Sequence, residues 1–178
     1  MANLIEVLKE QSSFGFTGKV NVLSRENGQF LGVIYQQDGL IVGAQIKDLK
    51  GKKALFNMIF TDVDSDDYRF VVEPEVISAD HITLKIPFEE VKTEAQKFYQ
   101  QYVNAKKLRP APNLKLVIDP EIIVSRDDIT PSEFDVLAVI SEYCKVSDIY
   151  KYSKLLDFEV TNALVSLRKK RAIKVFQN

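Results

Sequence analysis

The chain has 178 residues, 46% of them hydrophobic and 28% charged, with a net charge of −1. That length holds one compact domain or two small ones, and the composition excludes wholesale disorder. Near-neutral charge excludes a global field drawing the chain to nucleic acid or an anionic membrane, although residues 1–130 carry 16 basic and 19 acidic side chains and residues 131–178 carry 8 and 6. The single cysteine, Cys144, cannot form an internal disulfide and fits a reducing compartment. The start MANLIEVLKEQSS lacks the basic-then-apolar order of a signal peptide, and no apolar run approaches the ~20 residues of a membrane helix, so a cytoplasmic protein is expected.

Leu4, Ile5 and Leu8 share one face of a short opening helix that ends at SSFGF. Three strands follow, GKVNVLSR, QFLGVIYQ and LIVGAQI, separated by Asn27-Gly28 and Asp38-Gly39. Both dipeptides suit two-residue type I′ turns, whose central residues need positive φ. Pairing across both turns predicts a core face of Val20, Val22, Leu31, Val33, Tyr35, Leu40, Val42, Ala44 and Ile46. The opposite face then carries Leu23, Phe30, Ile34 and Ile41 beside Gly32 and Gly43, where missing side chains let another surface approach. Two occupants suit that face: the chain's own helix at 88–107, and a protein partner.

GKKALFNMIF places Ala54, Leu55, Met58 and Ile59 at helical spacing, and YRFVV alternates as a further strand closed by Pro74. After Pro87, residues Phe88, Val91, Ala95, Phe98, Tyr102 and Ala105 mark a long amphipathic helix, which offers a seam for a homodimer but spans only about three heptads. LRPAPNLKLVIDPEIIV, with three prolines, reads as an extended connection. Thr130, Pro131 and Glu133 then form a capping-box signature opening a helix to about Tyr143. A second helix at about 147–152, a third at about 158–170 and the strand AIKVF complete the order of a winged helix. The fold class expected is α+β: an antiparallel meander sheet with helices over 1–86, a connecting helix over 87–109, an extended linker over 110–129 and a winged-helix-like module over 130–178.

Thr17-Gly18 entering a strand, Tyr35 before the Asp38-Gly39 turn, Gly43-Ala44 in the next strand, and Gly51 leading a helix with Ala54-Leu55 stand in the order of a known pattern. The N-terminal region so resembles the PATAN family, named after the amino-terminal part of a cyanobacterial response regulator. The C-terminal region is similar to the small winged-helix-like modules that often follow. The resemblance implies a noncatalytic adaptor of bacterial signalling, tied to two-component or motility systems and acting through protein contacts. Under that reading Leu23, Phe30, Ile34 and Ile41 are the partner-binding candidates.

Chemistry is sparsely signalled. His81 and Cys144 are the only pair available for a Cys–His dyad, each with an ordinary alternative as an exposed histidine and a buried thiol. No phosphate-binding glycine loop is present, and no cofactor or enzyme activity is expected. Asp62, Asp64, Asp66 and Glu73 fall at the first, third, fifth and twelfth positions of a calcium loop. Asp67 stands where that loop wants glycine, and YRFVV with Pro74 replaces its exit helix, so a solvated acidic turn is the stronger reading. A DNA-binding transcriptional regulator is the alternative function. It would use Thr161, Asn162 and Ser166 toward bases and Arg168, Lys169, Lys170 and Arg171 toward phosphates, against the negative charge of Asp157 and Glu159 at the start of the same helix.

Overall fold

The computed structural model describes residues 3–121 and 128–176, and the chain divides into two compact units, one through Tyr99 and one from Gln100. The architecture is mixed α+β, as expected from the sequence. The first unit contains α1 (Leu4–Ser13), β1 (Gly18–Ser24), β2 (Phe30–Gln37), β3 (Leu40–Ile46), β4 (Leu49–Lys50), α2 (Gly51–Ser65), β5 (Tyr68–Pro74) and a 3-10 turn (Ala79–His81). Helix α3 (Phe88–Leu108) starts in this unit, and its residues from Gln100 on belong to the second.

The five strands form one antiparallel sheet in the order β4-β3-β2-β1-β5. The Asp38-Gly39 turn has the expected geometry, with φ of 50° and 78°. Its tip is held against the end of α1: the Asp38 N–H donates to Thr17 Oγ1 at 2.9 Å and the Gly39 N–H to the Phe16 carbonyl at 3.0 Å.

The Asn27-Gly28 turn departs from expectation. Residues 25–29 form a longer loop in which only Gly28 has positive φ, and Asn27 Oδ1 accepts from the Gln29 N–H at 3.0 Å. Val20 consequently opposes Ile34 and Val22 opposes Gly32, one residue away from the predicted register. A one-residue slip turns every side chain of a strand to the other face. Two irregularities add to it, leaving Leu31 unopposed by β1 and Val42 unopposed by β2.

The core face therefore carries Val20, Val22, Ile34, Gln36, Ile41, Ala44 and Ile46. Ile34 and Ile41, predicted as partner-binding, are both 0% exposed. Gln36 joins them because α1 supplies its partner, Ser12 Oγ, at 2.9 Å from Nε2. Leu23 and Phe30 pair at the sheet margin on the other face, Leu23 half-buried and Phe30 57% exposed. Helix 88–107 sets its rings on α2, with Phe56–Phe98 and Phe60–Tyr99 centroids each 6.2 Å apart. Phe88, Val91, Ala95 and Ala105 are buried, which removes much of the stripe expected to serve as a homodimer seam.

The second unit comprises the end of α3, β6 (Leu116–Ile118), α4 (Pro131–Glu142), α5 (Val146–Tyr152), α6 (Asp157–Lys169) and β7 (Ile173–Val175). Part of the expected linker is the strand β6, which pairs antiparallel with β7 and sends Leu116 into a core with Val136, Ile149, Val160 and Leu167. The alternation of Leu114, Leu116 and Ile118 is the local reason. The capping box at Thr130 forms as read from sequence, with Thr130 Oγ1 accepting from the Glu133 N–H and Glu133 accepting from the Thr130 N–H.

Candidate functional site

In the first unit α1 and α3 both pack on α2. Asn3 and Glu6 cap α1 reciprocally, and the Leu4 N–H donates to Asp62 Oδ2 at 2.7 Å. A carboxylate at a helix N-terminus meets the positive end of the helix dipole. Burial nonetheless pushes the Asp62 carboxyl up, with the Leu4 N–H opposing it. On the other flank, Lys52 Nζ lies 2.7 Å from Glu94, and the Tyr99 hydroxyl donates to Asp64 Oδ1 at 3.3 Å.

Between these attachments runs a groove of about 380 Å³. Ile59, Phe60 and Ala95 form its buried floor, Ile5 and Tyr99 are half-buried walls, and Val63 stands 50% exposed at its mouth. Lys92 and Gln96 supply the polar rim. The apolar groups and the lack of a convergent acid–base pair suit this groove to holding an apolar surface rather than to bond-making. Sequence periodicity marks Ile5, Ile59 and Ala95 as core; Phe60, the last residue of the predicted helix, and Val63, beyond its predicted end, extend the same helical surface and are the signal that more of it is left open.

A second cleft, of about 490 Å³, lies in the second unit between α4 and the end of α5. Its walls include Asp135, Val139, Glu142 and Lys154, beside the stacked rings of Tyr143 and Tyr152 at 4.1 Å.

The calcium-loop residues do not converge. Helix α2 continues through Ser65, so Asp62 and Asp64 are helical and already engaged as described. Asp66 is the left-handed cap of α2 and holds Arg25 through two bonds of 2.9 Å, while Glu73 sits in β5 beside Lys19 at 3.3 Å. No group of three potential metal ligands occurs among the described residues.

The nucleic-acid candidates are also dispersed in environment. Thr161 is 2% exposed, its Oγ1 shared with the Tyr150 hydroxyl at 2.6 Å and the Asp157 carbonyl at 2.9 Å, so it reaches no base. Lys170 is committed to Glu133 at 2.8 Å, and Ser166 is half-buried. Asn162, Arg168, Lys169 and Arg171 are exposed. At the start of α6, Asp157 pairs with Arg109 at 3.1 Å and Glu159 accepts the Leu156 N–H at 2.8 Å. His81, in the first unit, stacks on Tyr35 at 4.4 Å, and Cys144, in the second, is an exposed thiol rather than a buried one.

No helix among the described residues is long and apolar enough to cross a membrane. No protein-family model, curated protein or solved structure matches the chain.

Proposed function

We propose that this chain is a noncatalytic signalling adaptor of the bacterial cytoplasm, PATAN-like in its first unit, that works by docking a protein of a two-component or motility pathway. The observation that supports this reading is the groove over α2. Two helices flank it, its floor is aliphatic and aromatic, and Val63 at its mouth is half-exposed. Such a groove suits the apolar face of a partner's amphipathic helix. Two of the motif residues behind the resemblance, Thr17 and Gly39, are architectural, since their bonds hold the hairpin tip to the Phe16–Thr17 segment that follows α1.

The experiment is site-specific photo-crosslinking in the native cell, with the crosslinker at Val63 and, as control, at exposed Glu26. A discrete protein adduct is expected from position 63 alone, surviving nuclease and lost on Ala95→Glu. Equal adducts from both positions, or none from position 63, would refute the docking role. The alternative, a DNA-binding regulator, draws support from exposed Arg168, Lys169 and Arg171 at the end of α6 and is weakened by the burial of Thr161. It predicts duplex binding that falls steeply with salt and fails on Arg168→Ala/Lys169→Ala.

A further inference from the structure

The two edges of the five-stranded sheet are finished differently. Beyond β4, which is only two residues long, the edge of β3 is closed by the chain itself. Ile41 and Ile86 exchange backbone bonds of 3.0 and 2.9 Å, and the N–H groups of Thr83 and Leu84 both reach the Val42 carbonyl. At the opposite edge, β5 runs seven residues, and no described residue makes a backbone bond to its outer side. An unpaired strand edge is a template for another strand.

The direction of each backbone group on β5 follows from the ladder. The Ser24 N–H turns toward Gln29, on the β2 side, while the Arg25 N–H donates to the Asp67 carbonyl at 2.7 Å. The β1–β5 register runs without a break, so Arg69, Val71 and Glu73 bond to β1 and the N–H and C=O groups of Phe70 and Val72 point out of the sheet. Phe70, Val71 and Val72 are all only half-buried. Arg69 is exposed and has no ion pair among the described residues, and Glu73 stands four residues beyond it with the opposite charge.

We propose that β5 is a self-pairing edge, through which two copies of the chain join their sheets antiparallel about a two-fold axis at Val71. In that register Phe70 and Val72 of one copy exchange backbone bonds with Val72 and Phe70 of the other, using the four outward groups on each strand. Arg69 of each copy lies directly opposite Glu73 of the other, in a non-hydrogen-bonded pair where side chains are closest. The ends match as well. Pro74, which has no N–H, faces Tyr68, whose carbonyl already accepts from Arg25 Nη2 at 2.9 Å and Nε at 3.3 Å. A register shifted toward Pro74 sets that proline against Phe70 and loses a bond, and one shifted the other way sets Arg69 against Val71. An edge carrying charge of one sign would repel its own copy; this one is complementary to itself, as a two-fold contact requires.

Analytical ultracentrifugation of the full chain across the micromolar range tests this, with two variants. Wild type is expected to show a monomer–dimer equilibrium, and Arg69→Glu, which sets like charges opposite each other twice per dimer, to raise its dissociation constant about tenfold or more while circular dichroism stays unchanged. Val71→Cys in a Cys144→Ser background is expected to form a disulfide-linked dimer under mild oxidation, because residues on the axis approach to about 4.5 Å between Cα atoms. A chain that stays monomeric, a dimer indifferent to Arg69→Glu, or a Val71→Cys chain that does not crosslink overturns the proposal.

Discussion

Glu133 and Lys170 tie the start of α4 to the end of α6, and their pairing makes the second unit acid-sensitive. Glu133 is 2% exposed, and its carboxylate accepts from Lys170 Nζ at 2.8 Å and from the Thr130 N–H at 2.7 Å. Burial by itself pushes the carboxyl up, but the Lys170 ammonium, joined by hydroxyl and backbone donors, outweighs it and brings Glu133 from 4.5 down to about 2. Because the folded value lies below the unfolded one, the unfolded chain takes up its proton first as pH falls. The contribution is about 3 kcal/mol above the unfolded value, is more than half lost by about pH 3 and vanishes below the folded value. Glu133→Gln keeps the shape and an acceptor for Thr130 but leaves Lys170 with Asp128 alone, at 2.5 Å to its carbonyl and 3.6 Å to its carboxylate. Urea unfolding followed by circular dichroism, with the second unit's transition identified by hydrogen exchange of α4 and α6, is expected to show a loss of about 3 kcal/mol at pH 7. That difference shrinks to about 1 kcal/mol at pH 3. An equal difference at both pH values would show that the ion pair does not carry the stability, and the reasoning would fail.

Two further substitutions test the packing around the groove and the sheet. At Gly43 an added Cβ runs into the His81 carbonyl, so Gly43→Ala must push the 79–86 segment off β3; a loss of about 1–3 kcal/mol in thermal or urea unfolding is expected. Gly43→Ala without measurable loss would mean that this segment is loosely held. Asp62→Asn keeps an acceptor for the Leu4 N–H but removes a carboxyl whose pKa is raised by burial. The charged form is penalised as pH rises through the ordinary carboxylate range, so the variant should be more stable than wild type at pH 7 and equal to it near pH 3; a destabilised variant at pH 7 would contradict that sign.

Much of the local structure could be read from short-range signals. The helices of the second unit lie within a residue or two of their predicted bounds because Thr130, Pro131 and Glu133 carry a self-contained cap and the apolar spacing is helical throughout. The Asp38-Gly39 turn is likewise local, since both residues adopt positive φ there. Nothing local reveals the groove: Ile5, Val63 and Tyr99 become neighbours only when α1 and α3 settle on α2, and Asp62 reads as part of a solvated acidic turn until the N-terminus of α1 is known to rest on it.

The sequence by itself determined where the main helices begin, that three strands form a meander, and that the whole is α+β, because caps, turns and periodicity act within a few residues. Only the tertiary structure decided which face of β2 meets α1 and α2. The choice turned on the loop over 25–29 and on Ser12, a residue 24 positions before Gln36, which gives that buried amide its partner. A single residue of register exchanges the two faces of a strand, and the energy that selects between them comes from packing against α1 and α2, not from the strand's own pattern.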